Sequence, residues 1–191
     1  MATEPLHFLT PERYLELDAE AERPSEYFNG FMVEVEASTP NHGSILTNLI
    51  YSITDLIRKS ELDCQLRSQG QRVYLPAVSL YAYPDIVITC GVEEYGPTDT
   101  LLNPIILIEV LSPTTADYDC GRKFEYYRSI KSLREYITVA QDRVDINNWV
   151  ILNGKWTLNE THVAMEGELQ ILGSSIAVRD VYRKVKFEET E

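Results

Sequence analysis

The chain has 191 residues and a formal net charge of -13, with 30 acidic side chains against 17 Lys and Arg. At 44% hydrophobic and 25% charged residues it has the composition and length of one globular domain with a sizeable core. The acid excess speaks against a generic nucleic-acid binder, whose footprint is a basic face, and no apolar run approaches the roughly 20 residues of a membrane-spanning helix.

In chain order, residues 1–24 form a surface lead-in. Thr10-Pro11 has the capping and first-turn chemistry of a short helix that ends by Pro24. From Ser25 to Val35, apolar and polar residues alternate on either side of Asn29-Gly30, which predicts a hairpin. Pro40-Asn41-His42-Gly43 punctuates the chain. Ile45, Leu46, Leu49, Ile50, Ile53, Leu56 and Ile57 then recur at helical spacing and predict an amphipathic helix from Ser44 to Lys59. Leu62–Leu66 and Gln71–Leu75 predict two strands joined around Gly70, and Pro84–Thr89 predicts another. Ile105–Leu111 is apolar on both faces, the pattern of a central strand in a sheet covered on both sides. Ser112-Pro113-Thr114-Thr115 breaks that strand, and a helix is expected over Tyr118–Ile130. Strands are expected within Ser132–Gln141 and Val144–Leu152, the second turning at Asn153-Gly154 into Lys155–Asn159. A short apolar run at Leu169–Leu172 and a terminal piece from Ile176 to Val185 complete a mixed α/β or α+β domain over residues 1–191.

Two carboxylates stand out against their surroundings. Glu109 sits among six aliphatic residues, where an unpaired charge would cost several kcal/mol. Asp85 opens the other apolar run. Brought together on neighbouring strands, two acids repel unless a cation lies between them, and hard divalent ions take such oxygens. In the helix after Ser112, steps of about 100° put Asp119, Lys123, Tyr126, Tyr127 and Ile130 on one face, with Arg122, Glu125 and Arg128 opposite. An inward Lys123 needs an anion, and Glu109 with Asp85 is at hand. A Lys123–Glu109 or Lys123–Asp119 ion pair that only fixes packing accounts for these residues equally well.

The order Pro84-Asp85, Glu109-Val110-Leu111-Ser112-Pro113, Tyr118-Asp119 and Lys123 resembles the PD-(D/E)XK nuclease superfamily, and most closely its Uma-type (DUF820-like) restriction-endonuclease branch. Ser25-Glu26-Tyr27-Phe28-Asn29-Gly30 and Pro40-Asn41-His42-Gly43 resemble that branch's E-x-x-x-G hairpin and the histidine before its first helix, so the likeness runs from about Glu12 to Val150. It implies a restriction-endonuclease-like core, a mixed central sheet flanked by helices with an N-terminal hairpin, and hydrolysis of DNA phosphodiesters with Mg²⁺ or Mn²⁺. On that likeness Asp85 and Glu109 hold the ion, Glu26 is a further acid near it, and the carbonyl of Val110 or Leu111 completes the shell. The superfamily places its lysine two residues after the acid, where this chain has Leu111. In the Uma-type branch the lysine lies on the following helix, which makes it Lys123.

His42 is a candidate for contact with phosphate or metal, against a capping role, and Gln71 for lining the site beside the Asp85 strand. Asp119 is expected to orient Lys123, and Asp117 to serve the helix start. Arg67 and Arg72 are candidate phosphate contacts, with solvation the plainer expectation. His7, His162 and the loop acids Glu93, Glu94 and Asp99 are expected at the surface. Cys64, Cys90 and Cys120 match neither a zinc pattern nor a disulfide framework, so reduced thiols in a cytoplasmic protein are expected. The N-terminus lacks a signal-peptide pattern, and the Val144–Trp156 hairpin, with its aromatics and strand edges, suggests a homodimer. Two other readings stay open. One is a nuclease fold without catalysis, kept as a binding or oligomeric scaffold, which the charge and Leu111 favour. The other is a small-molecule hydrolase or metal-binding protein unrelated to nucleic acid.

Overall fold

The computed structural model describes residues 8–35, 38–68, 70–113, 116 and 119–187. Helix α1 (Pro11–Glu20) starts where Thr10 accepts from the Arg13 amide, with Pro11 in the first turn. Strands β1 (Ser25–Phe28) and β2 (Phe31–Glu34) form the expected hairpin, with Asn29 and Gly30 both at positive φ (45° and 94°). Helix α2 (Pro40–Lys59) begins four residues before the expected start at Ser44. Thr39 caps it by accepting from His42 N at 3.2 Å, and Pro40 occupies the first turn rather than breaking the chain.

Strand β3 (Cys64–Ser68) is followed by β4 (Val73–Leu75), β5 (Leu80–Ala82), β6 (Ile86–Cys90) and β7 (Ile106–Leu111). A π-helical turn at Asp119–Lys123 leads into α3 (Phe124–Tyr127). Next come strands β8 (Glu135–Ala140), β9 (Ile146–Leu152), β10 (Lys155–His162), β11 (Glu168–Ile171) and β12 (Ser174–Ala177), then α4 (Val178–Val181).

The main sheet has the order β10-β9-β8-β7-β6-β3 and is mixed, because β7 and β8 are parallel while the other neighbours are antiparallel. All six residues of β7 are buried, as its apolar run predicts for a strand covered on both sides. One face packs Ile86, Ile88, Ile106, Ile108 and Ile137 against the α2 stripe of Ile45, Leu49 and Ile53 and against the β11–β12 hairpin. The opposite face packs Val87, Leu107 and Tyr136 against Phe124 and Tyr127, and against Val73, Leu75 and Leu80 of a second sheet. Each such aliphatic burial contributes roughly 1.5–3 kcal/mol.

That second sheet, β2-β1-β5-β4, departs from the sequence expectation. β3 and β4 do not pair around Gly70. β3 joins the main sheet beside β6, whereas β4 and β5 extend the N-terminal hairpin. Strand length and alternation carry no information about which sheet a strand joins. The helix expected over Tyr118–Ile130 ends earlier, at Tyr127, and its wide π-turn delays the rotation of the residues after Lys123. Phe124 is therefore buried in place of Tyr126, which is half-buried and stacks on Phe28 at 5.1 Å. Tyr118, like Asp117 and His7, lies outside the described residues.

Cysteine pairing is a second correction. Cys64 and Cys90 face each other in the β3–β6 register and form a disulfide. Their separation of 26 residues gave no framework signal, because a cross-strand bridge depends on register rather than spacing. His162 is half-buried, with Nε2 3.2 Å from Glu160 Oε2, rather than at the open surface. Trp149 and Trp156 are not displayed on the hairpin surface either, since both pack on Phe124. No described helix is long and apolar enough to cross a membrane.

Glu135, at the start of β8, gives a test of the packing. Its Oε2 finds no hydrogen-bond partner among the described residues. Burial, and secondarily Glu160, push its carboxyl up to about 7 from the ordinary 4.5. A raised carboxyl contributes stability that is full below its unfolded value and lost as pH rises through the folded one. The wild type is therefore expected to lose on the order of 2 kcal/mol between pH 5 and pH 8 from this group. Glu135→Gln is expected to lack that loss, as read by urea unfolding at the two pH values.

Candidate active site

The end of β7, the start of β6, the β1 strand and the π-turn converge on one cavity of about 850 Å³. Lys123 lines it, with a side chain only 8% exposed. Its Nζ stands 3.0 Å from Glu26 Oε1, 3.0 Å from Glu109 Oε1 and 3.4 Å from Asp119 Oδ1. The Tyr127 hydroxyl donates to Glu109 Oε1 at 2.8 Å, so both that phenol and the ammonium hold the same oxygen. The backbone N–H of Tyr83 donates to Glu26 Oε1 at 3.3 Å. The Tyr136 hydroxyl fixes the π-turn by donating to the Asp119 carbonyl at 3.1 Å.

Asp85 stands beside this group. Its Oδ2 accepts from the Val110 amide at 2.8 Å and lies 3.2 Å from His42 Nε2. Its own amide approaches Glu109 Oε2 at 3.4 Å. The short antiparallel pairing of β6 with β7 sets this proximity, since Ile86, one residue after Asp85, is opposite Ile108, one residue before Glu109. His42 is brought in by the first turn of α2.

The electrostatics follow from burial. Loss of hydration raises the Glu109 carboxyl, Lys123 pulls it back, and Asp119, Asp85 and Glu26 push it up again. Burial works against charge on Lys123, yet Glu109, Glu26 and Asp119 outweigh it and hold the ammonium well above the ordinary lysine value. Lys123 is therefore a fixed cation. The Tyr127 phenol is raised, by burial first and then by Glu109, so it stays a donor.

Behind the cavity, a buried circuit ties these groups to the N-terminal layer. Asp18 Oδ1 accepts from Ser25 N at 2.8 Å, and Asp18 Oδ2 pairs with Arg72 Nη1 at 2.5 Å and accepts from the Tyr83 hydroxyl. Tyr14 donates to the Ser25 carbonyl at 2.7 Å. The residue next to Glu26 and the residue whose amide holds Glu26 are thus gripped by one carboxylate.

Glu26, Asp85, Glu109, Asp119, Lys123 and His42 are all brought together around the cavity. Gln71 is not. It leads β4 in the second sheet, and its amide donates to the carbonyls of Arg72 and Asp99 at 3.0 Å each. Arg67 is held by Glu93 rather than solvated, Glu93 also accepts from Thr89, and Arg72 is buried on Asp18. The Leu111 carbonyl accepts from Gln141 N at 3.1 Å, which engages one of the two expected shell carbonyls. Tyr127, Tyr83 and the Val110 amide carried no sequence assignment. Only Tyr127 had a signal, one helical turn after Lys123 on the inward face. Among the described residues no group of three or more His, Cys, Asp or Glu side chains has metal-ligand geometry.

A mixed sheet flanked by helices, with an acid-bearing central strand and an inward lysine, defines a restriction-endonuclease-like fold. A crystallographic neighbour, a putative nuclease of the DUF820 group from Anabaena variabilis ATCC 29413, superposes with a TM-score of 0.71 over 91% of this chain and 97% of its own, at 14% identity. The family model of Uma2, described as putative restriction endonuclease, matches residues 11–179, and the chain belongs to that family. Two relatives come from Synechocystis sp. (strain ATCC 27184 / PCC 6803 / Kazusa). The uncharacterized protein slr1290 is 28% identical over 184 residues, covering 96% of both chains. The uncharacterized protein sll1609 is 26% identical over 157 residues, covering 80% of this chain and 86% of its own.

Removing the ammonium tests the cluster. Lys123→Met leaves two buried carboxylates and the half-buried Glu26 without their cation and is expected to cost about 3–5 kcal/mol at pH 8. Carboxyls left without their cation take raised values, so the penalty is small at low pH and grows as pH rises through those values. Urea unfolding at pH 5 and pH 8 measures it, and equal stability of variant and wild type at pH 8 would remove the cluster as a structural element.

Proposed function

We propose that the chain is a metal-dependent DNA endonuclease that hydrolyses phosphodiester bonds in this cavity. The observation that carries the reading is the convergence of Lys123, arriving from the π-turn rather than from β7, on the carboxylates of Glu109 and Glu26 beside Asp85. The donor set suits a hard divalent ion, because Mg²⁺ or Mn²⁺ needs only one or two protein carboxylates beside water and substrate phosphate. Asp85 and Glu109 would hold it, with Glu26 nearby. Such an ion, when bound, supplies Lewis-acid polarisation of a phosphate oxygen.

The chain's own residues do the rest by orientation and charge. His42 and the Val110 amide hold Asp85 Oδ2 in one rotamer. Tyr127 and Lys123 hold Glu109 Oε1. Lys123 remains protonated, so it acts as a cation beside developing phosphate charge and not as a base.

A second reading, a nuclease fold without catalysis that serves as a binding or oligomeric scaffold, draws on one observation. Five carboxylates line the cavity (Glu26, Glu34, Asp85, Glu109 and Asp119) against the cations Arg23 and Lys123, and Arg23 is paired with Glu34 at 3.0 Å. A homodimer through the Val144–Trp156 hairpin and its β10 edge belongs to the same proposal, with Leu152 of β9 and Leu158 of β10 exposed. A monomer by light scattering removes it.

Incubation with supercoiled, linear and single-stranded DNA in Mg²⁺ or Mn²⁺ decides between the readings. Wild type is expected to cleave, and Asp85→Asn to be slower by about 100-fold or more. In a calorimetric titration Asp85→Asn is also expected to bind Mn²⁺ more weakly. Absence of cleavage on every substrate, or equal rates for both proteins, overturns the endonuclease.

A further inference from the structure

The acidic cavity raises the question of what holds a polyanion near it. Four of the chain's 17 Lys and Arg lie within the eight residues 179–186, as Arg179, Arg183, Lys184 and Lys186. All four are exposed, and among the described residues none of their side chains enters an ion pair. Elsewhere the arginines are largely engaged: Arg23 by Glu34, Arg67 by Glu93, Arg72 by Asp18, and Arg143 by Asp142 and Asp145.

The basic segment is fixed in place beside the cavity mouth. Asn48 donates to the carbonyls of Val181 and Arg183 at 2.9 Å each. Asn41 donates to the Lys186 carbonyl at 2.8 Å and to the Gln141 carbonyl at 3.2 Å. Gln141, Thr39 and His42 line the cavity, so Asn41 bridges the basic ridge to its rim. The first half of α2 adds no opposing charge, because Thr39 to Thr54 contains no Asp or Glu; the acids nearby are Asp180 within the segment and Asp145, whose amide meets the Tyr182 hydroxyl at 3.1 Å. In a chain of net charge -13, this is a helix face without acids edged by exposed cations that runs to the site.

We propose that the ridge of Arg183, Lys184 and Lys186 is the docking surface for the phosphodiester backbone of the nucleic-acid substrate, which it leads along the first half of α2 to the cavity. The identity of the polyanion rests on the endonuclease reading, whereas the surface rests on charge complementarity alone. Each phosphate neutralised by a lysine or arginine releases counterions, so docking is read directly in salt dependence.

The test is binding of a fluorescent oligonucleotide in EDTA across a salt series, by anisotropy. The triple variant Arg183→Gln/Lys184→Gln/Lys186→Gln is expected to bind at least tenfold more weakly than wild type. Its slope of log K against log salt should be shallower by about 2 to 3. The control Arg58→Gln/Lys59→Gln/Lys155→Gln makes the same charge change; two of its sites lie at the far end of the roughly 30 Å α2, and it should behave as wild type. The inference is overturned by an unchanged slope and affinity in the ridge variant, or by an equal loss in the control. Absence of oligonucleotide binding by wild type at low salt, or ridge-dependent binding to phosphatidylserine vesicles in place of the oligonucleotide, overturns it too. A wild type that binds through the ridge yet never cleaves leaves this surface standing and removes the endonuclease. A wild type that cleaves, with a ridge variant that binds unchanged, does the reverse.

Discussion

A lysine ammonium buried within reach of three carboxylates is the constraint on which this molecule is built. Neither side of the arrangement is tolerable without the other, since an isolated buried charge costs several kcal/mol. Glu109 can occupy the most apolar strand of the protein because Lys123 meets it there at 3.0 Å. Lys123 can leave water because Glu26 and Asp119 take up its remaining hydrogen-bonding directions. Through those contacts the β1 hairpin, the central β7 strand and the π-turn are held in one register, and the cavity is what remains between them.

The π-turn is part of that solution. The lysine comes from a separate element, and a wide turn lets Asp119 and Lys123 both point inward while Phe124 already begins the aromatic packing on Tyr136 and the two tryptophans. Such turns persist where a side chain must be aimed at a cost to regular hydrogen bonding. Leu111, in the position where a strand-borne lysine would stand, is 6% exposed and packs as an ordinary core residue.

Much of this was legible in the sequence, and the reasons are local. Asn29-Gly30 and Asn153-Gly154 announce their turns because few other residue pairs accept two positive φ angles in succession. The α2 stripe and the all-apolar β7 announce burial by periodicity alone. Glu109 announces the site because a charge in such a run demands a partner. The features that stayed hidden depend on register between distant segments. Cys64 meets Cys90, Asp18 meets Arg72 across 54 residues, and β4 joins β5 rather than β3. Gln71 looked close to Asp85 along the chain and is parted from it by that last choice of sheet.

The buried circuit through Asp18 has a consequence for where the unit that builds this cavity ends. The main sheet with α2 and α3 would look sufficient by itself, since it carries Asp85, Glu109, Asp119, Lys123 and His42. Yet the fourth carboxylate, Glu26, is gripped from both sides by a residue of α1, through the Ser25 amide and through the Tyr83 hydroxyl. Helix α1 never touches the cavity, but it sets the position of an oxygen that does. The N-terminal layer, from the Thr10 cap of α1 onward, is therefore an integral part of the site's geometry.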